Sequence, residues 1–179
     1  TPNKLPMNPA PFSSLSLRPE LLSSTKALGY VLMTPVQEQT LPHLLNGKDL
    51  IAQARTGSGK TAAFAIGLLN KLEAQSYTTQ ALVLCPTREL ADQVAAEVRR
   101  LASTIPNIKL LTLCGGKPMG PQLASLQRNP HIVVGTPGRI LKHLDKEALH
   151  LDAIETLVLD EADRMLDMGF HDDIMRIIT

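Results

Sequence analysis

The run Ala54-Arg55-Thr56-Gly57-Ser58-Gly59-Lys60-Thr61 carries the residue types that grip a polyphosphate. Its glycines let backbone N–H groups turn inward around an anion, and a helix starting there adds its partial positive charge. The Lys60 ammonium can reach the β- and γ-phosphates of a nucleotide, and the Thr61 hydroxyl can ligate Mg²⁺. The string satisfies every position of GxxxxGK(S/T) except the first, where Ala54 replaces glycine. Context decides whether such a string is more than a turn. Here Asp49 to Gln53 has the length and apolarity of a strand, and KTAAFAIGLLNKLEAQ follows with helical spacing, as a phosphate loop requires.

A second constellation lies about a hundred residues on, where the apolar run Thr156-Leu157-Val158-Leu159 passes directly into Asp160-Glu161-Ala162-Asp163. Alone, these acids suit the start of a helix, whose dipole favours negative charge. Beside a phosphate loop they occupy the position of the metal-binding strand end. Asp160 is then expected to hold Mg²⁺, partly through water. Glu161 is placed to orient or deprotonate a water attacking the γ-phosphate, with Lys60 completing the catalytic set.

Side chains this far apart in sequence must be brought together by regular elements. Short apolar runs at DLIAQ, ALVLCP, IKLLTL, HIVVGT and TLVLDE alternate with helix-like segments, among them RELADQVAAEVRRLAS, GPQLASLQR and GRILKHLDK. Two further helices are predicted upstream. PELLSSTKALGY stops at Gly29, and Pro35 opens a helix that Gly47 closes. Strands alternating with helices give an α/β fold with a mostly parallel sheet and helices on both faces, and ligands at the carboxyl ends of the strands. Aromatics are 3% of the 179 residues and Trp is absent, so the core must be aliphatic, as parallel sheets are. The proline-rich start, residues 1–11, is expected to be a flexible arm, and residues 12–179 one domain. The chain begins with Thr1 and stops inside a helix-like run, and so reads as a C-terminally truncated piece of something longer.

A net charge of +1 excludes nucleic-acid binding through a bulk basic field and leaves only local contacts. Cys85 and Cys114 sit in apolar runs without a metal-ligand partner at the right spacing. They read as buried thiols of a reducing, cytoplasmic setting. No apolar run approaches membrane-spanning length, so a membrane is not an expected partner; the expected state is monomeric.

The phosphate loop and the Asp160–Asp163 tetrad resemble those of the DEAD-box RNA helicases, and further motifs follow in that family's order. The resemblance covers nearly everything from Phe12 onward. It implies an N-terminal RecA-like P-loop NTPase domain that uses ATP and Mg²⁺. Gly29-Tyr30, Thr34-Pro35-Val36-Gln37 and the preceding Phe12 are similar to the Q motif. The likeness implies that Gln37 hydrogen-bonds the adenine edge and that Phe12 stacks on the ring. Met33 stands where the family often has proline. Pro86-Thr87-Arg88, Gly115-Gly116 and Thr136-Pro137-Gly138-Arg139 are similar to the family's three RNA-contacting elements. Arg88 and Arg139 suit phosphates, as do the hydroxyls of Thr87 and Thr136 and the backbone N–H groups of the glycines. Such contacts touch only sugar and phosphate, and so imply binding indifferent to base sequence. Asp163 falls at a position that implies coupling between domains.

Within the family, QALVLCPTRELADQVAAEVRRLA, TLCGG and VLDEADRMLDMGF are most similar to the bacterial DbpA subfamily, which implies ribosomal RNA and ribosome assembly as the setting. The likeness also implies a second RecA-like domain, absent from this chain, that supplies arginines for hydrolysis. This chain alone is therefore expected to bind nucleotide, to hydrolyse it poorly and not to unwind duplexes. Three other readings stay open: an ATP-gated RNA clamp or scaffold, a DNA translocase, and a P-loop kinase. Glu161 weighs against a pure clamp, the Q-motif likeness against the translocase, and the lack of an identifiable lid or acceptor pocket against the kinase.

Overall fold

The computed structural model describes residues 9–47 and 58–179. The expected strand at Asp49 to Gln53 and the loop residues Ala54, Arg55, Thr56 and Gly57 lie outside the described residues. Backbone proximity divides the chain into two compact units. One is Thr1–Lys71 with Glu97–Pro106, the other Leu72–Ala96 with Asn107–Thr179.

Among its described residues, the first unit holds a one-turn 3₁₀ segment at Phe12–Ser14, the helices α1 (Pro19–Ala27), α2 (Pro35–Leu45) and α3 (Lys60–Lys71), and the end of a fourth helix from Glu97. Pro19 and Pro35 occupy first turns, where a missing N–H costs nothing. Thr34 starts α2 with a complete capping box. Its hydroxyl accepts from the Gln37 N–H at 3.3 Å, and its own N–H donates to Gln37 Oε1 at 2.9 Å. Between α2 and α3 the backbones come close at Gly67, where even a methyl group would lie 3.2 Å from Leu44 Cβ. The flexible arm expected as far as Pro11 is paired from Ala10 onward. Pro11 bridges antiparallel to Leu32, Met33 N donates to Ala10 O at 2.9 Å, and Phe12 N donates to Val31 O at 2.9 Å. Proline composition signalled an irregular path but not these partners, because Pro11 needs no donor to lie in a bridge whose bonds come from its neighbours.

The second unit is built on four parallel strands, β1 (Ala81–Leu84), β2 (Leu110–Leu113), β3 (Ile132–Gly135) and β4 (Thr156–Leu159), in the spatial order β2-β3-β1-β4. The burial pattern explains the order. The ALVL and IVVG strands, apolar at every position, are buried throughout and sit centrally, whereas β2 and β4 are only partly buried and lie outside them. Helix α4 (Arg88–Leu101) follows β1, α5 (Met119–Leu126) follows β2 and α6 (Pro137–Asp145) follows β3. The pair α7 (Ala162–Asp167) and α8 (His171–Ile178) follows β4. Leu82, Leu84, Leu113, Val133, Ile140, Met165, Ile174 and Ile177 form one aliphatic core that fixes α6, α7 and α8 to the sheet.

Register aligns the strand ends. Leu84 pairs with Gly135 and with Leu159, and Leu113 pairs with Gly135, so all four strands stop on one row. With neighbours about 5 Å apart, that row spans about 15 Å.

Candidate functional site

In the first unit, the residues expected to read the base and those expected to take the phosphates meet through one side chain. Gln37 is 2% exposed, and beyond its capping-box bonds its Nε2 donates to the Gly59 carbonyl at 3.1 Å. Gly59 has φ +88°, a left-handed conformation open to glycine, and a Cβ there would sit 2.5 Å from Gln37 Nε2 and 2.9 Å from Thr34 Oγ1. The glycine is thus required twice, by the turn and by the amide packed against it. Lys60 and Thr61 follow as the first residues of α3, so both stand at a helix N-terminus. The Ser58 hydroxyl is buried without a hydrogen-bond partner among the described residues. An orphaned polar atom beside a helix start suits a site that takes up an anion, so the described end of the loop fits a triphosphate. Phe12 is 2% exposed, its ring edge-on to Tyr30 at 5.8 Å, and little of it is open to a base.

In the second unit, the row of strand ends delivers the other predicted residues to one edge. The ladder runs one residue past the strands: Cys85 N donates to Gly135 O at 2.9 Å, Thr136 N to Leu113 O at 3.1 Å, and Asp160 N to Leu84 O at 2.9 Å. Pro86-Thr87-Arg88, Gly115-Gly116, Thr136 to Arg139 and Asp160-Glu161 therefore emerge side by side. Pro86 and Pro137 are buried; Thr87, Thr136, Gly138 and Arg139 are partly exposed; Arg88, Gly115 and Gly116 are exposed. Asp160 is held at 4% exposure, the setting of a carboxylate committed to a fixed partner rather than to solvent. Glu161 has φ 52° and ψ 53°. For a residue with a Cβ this left-handed geometry costs about 1–2 kcal/mol, and it turns the backbone sharply at the residue expected to face the attacking water. Its carboxylate accepts from Arg164 Nη1 at 3.3 Å, while Asp163 is exposed in the first turn of α7.

The side chains of Thr136 and Arg139 have internal partners that their motif did not announce. Thr136 makes no side-chain bond to cap α6; its hydroxyl accepts from the Gly115 N–H at 3.3 Å. Arg139 Nη1 donates to the Lys117 carbonyl at 2.8 Å and to Gln122 Oε1 at 3.3 Å. Gln122 and His143, which the sequence reading did not single out, complete the set. Gln122 is 6% exposed and donates to the Cys114 carbonyl at 3.2 Å, and His143 Nε2 lies 2.7 Å from Gln122 Oε1. The available signal was spacing: Gln122 lies four residues before Leu126 on the same buried stripe of a helix.

Cys85 and Cys114 are fully buried thiols, and burial, with help from the Asp92 carboxylate, pushes the Cys114 thiol above its usual range. Burial also lowers the His143 pKa, reinforced by the positive charges of Arg139 and Lys146. The neutral ring, with Nε2–H donating to Gln122, is the form the fold favours. The unfolded chain therefore takes up this proton more readily than the folded one below pH about 6.5, and the contribution of His143 to stability, full above that pH, is lost on acidification. Melting temperatures recorded from pH 7.5 to 5.5 should fall more steeply for the wild type than for His143→Leu. Parallel curves would assign the acid sensitivity elsewhere.

Residues 34–179 match a sequence family described as DEAD/DEAH box helicase. The ATP-dependent RNA helicase DbpA of Escherichia coli is 62% identical over 168 residues, covering 93% of this chain and 37% of that protein. The ATP-dependent RNA helicase CshA of Listeria monocytogenes is 50% identical over 167 residues, 93% of this chain and 32% of its own length. The crystal structure of a DEAD box protein from the hyperthermophile Methanococcus jannaschii superposes with a TM-score of 0.88 at 43% identity, covering 93% of this chain and 46% of that one. This chain thus spans about a third of the length of the curated relatives it matches.

Proposed function

Because the chain belongs to the DEAD/DEAH box helicase family, we propose that it is the ATP-binding RecA-like domain of an RNA helicase. Together with a second RecA-like domain it would couple ATP hydrolysis to RNA unwinding or remodelling. The observation that carries this reading is the common row of strand ends. One edge of a single sheet carries both Asp160-Glu161 and the loops that open at Pro86, Gly115 and Thr136, which supports this reading.

In this reading Gln37 selects adenine, with Phe12 bracing the base. Ser58, Gly59, Lys60 and Thr61 take the phosphates, together with Ala54, Arg55, Thr56 and Gly57, which lie outside the described residues. Thr61 and Asp160 are the residues to hold Mg²⁺, which when bound supplies charge neutralisation on the phosphates. Glu161 orients or deprotonates the attacking water. Pro86, Thr87, Arg88, Gly115, Gly116, Thr136, Pro137, Gly138 and Arg139 meet RNA through its backbone. Arg88 is exposed for this role, whereas Arg139 contributes the N–H groups that Lys117 and Gln122 leave over. Exposed Asp163 is assigned to coupling with the second domain. The finer setting, ribosomal RNA in the bacterial cytoplasm with a monomeric protein, is supported by the likeness to the DbpA subfamily.

Adenine selectivity tests the base-reading assignment. Titration with fluorescent adenine and guanine nucleotides should give tighter adenine binding by the wild type. Gln37→Ala should lose roughly tenfold of it, the cost of removing a base-directed amide that also steadies Gly59. Equal affinity of the wild type for both bases would remove the Q-motif reading.

A further inference from the structure

Gln122 occupies the centre of the polar network behind the strand ends of the second unit. Its carbonyl oxygen accepts from Arg139 Nη1 at 3.3 Å and from His143 Nε2 at 2.7 Å; its amide nitrogen donates to the Cys114 carbonyl at 3.2 Å. The amide cannot be turned over, since that would set its N–H against the Arg139 guanidinium, which only donates, and its oxygen against the Cys114 carbonyl, which only accepts. Three segments are thereby tied to one buried side chain: the end of β2, where the Gly115-Gly116 loop begins, the first turn of α6, and the last turn of that helix. Two more bonds join the same segments directly, Arg139 to the Lys117 carbonyl at 2.8 Å and Gly115 N–H to the Thr136 hydroxyl at 3.3 Å. Both Gly115 and Gly116 are exposed, Gly116 has φ +81°, and a loop of that composition is costly to order when a ligand arrives.

We propose that Gln122 is a positioning residue for RNA backbone phosphates: by fixing Arg139 and the Cys114 carbonyl together, it holds the Gly115–Lys117 loop and the Thr136–Arg139 helix start as one pre-formed binding edge. The inference rests on the RNA reading of this edge. Pre-formation spares the binding reaction the cost of ordering a glycine loop and a long arginine, so its loss weakens affinity without removing a phosphate contact. His143 closes the network from below. Arg139 serves as both latch and ligand, with Nη1 turned inward and its other N–H groups left for a phosphate.

The test compares wild type with Gln122→Met, which keeps the side-chain volume and removes all three bonds. A labelled single-stranded oligouridine is titrated at several salt concentrations, and a fluorescent adenine nucleotide in parallel. The expected result is RNA affinity about tenfold lower at every salt concentration with the same slope of log affinity against log salt, because the number of phosphates met is unchanged. Nucleotide affinity should stay at the wild-type level. RNA affinity within twofold of wild type, or RNA and nucleotide affinity falling together, overturns the proposal alone. A wild type that binds no oligouridine overturns the RNA reading and this inference with it. Should Gln122→Met fail to fold, hydrogen exchange in the wild type decides. Protection of the Gly115 amide already present without RNA supports pre-formation; protection that appears only with RNA overturns it.

Discussion

Replacing Lys60 by alanine is expected to lower the affinity of this chain for adenine nucleotides by about two orders of magnitude or more, the larger of the two binding defects foreseen in the first unit. Lys60 is the first residue of α3, directly after the left-handed Gly59, so its ammonium and the N–H groups of the opening turn belong to one anion-binding start. A hydrogen bond to a charged group contributes about 1.5–3 kcal/mol, and an ammonium serving both terminal phosphates makes at least two of them. Removing it costs at least about 3 kcal/mol, or about a hundredfold. Backbone amides and the helix dipole remain, so binding should weaken rather than vanish. Unlike Gln37→Ala, the change should affect adenine and guanine nucleotides equally. Fluorescence titration measures both, with circular dichroism as the check on folding. Wild-type affinity in the variant would sink the phosphate-loop assignment.

The second large effect concerns turnover. Steady-state phosphate release by this chain, even with saturating single-stranded RNA, is expected to run about 10³–10⁵-fold below that of a longer relative carrying two RecA-like domains. That range is the contribution of an arginine finger to phosphoryl transfer, and in the proposed scheme those arginines come from the second domain. Asp160 and Glu161 are in place at the end of β4, yet a carboxylate pair offers nothing to the charge that develops on the γ-phosphate oxygens. Nucleotide binding and hydrolysis should therefore separate cleanly in this chain. RNA-stimulated turnover equal to that of the longer relative would show that every catalytic group is already here, and would end the two-domain scheme.

What could be read from the sequence follows the physics of each element. ALVL and IVVG declared themselves because a strand buried on both faces must be apolar at every position, and their central places in the sheet bear that out. The candidate phosphate loop could be proposed from residue types alone, because anion binding needs particular backbone freedom. TLVLDE gave both strand and acids, yet nothing in it announced the left-handed φ of Glu161, a conformation that tertiary structure imposes on a residue ill suited to it. The break between α7 and α8 is marked by Gly169 at φ +86°, a stop signal lost inside an otherwise continuous helical rhythm. Gln122 and His143 stayed hidden for a different reason. Each is polar on a buried stripe, and its meaning lies in partners on other elements that spacing along one helix cannot supply. The sequence offered Arg139 as a candidate for phosphate, but not its bonds to Lys117 and Gln122.

The close approach of α2 to α3 at Gly67 has a mechanical sequel. Leu44 fills the place any side chain at position 67 would claim, so the two rods are pinned at one end, while Gln37 and Gly59 touch at the other. In the proposed scheme they form a calliper with a fixed hinge, one jaw meant for a heterocycle and the other for its trailing anion. A ligand of the wrong length would have to spread both jaws at once, and two fastenings along the arms resist that spreading.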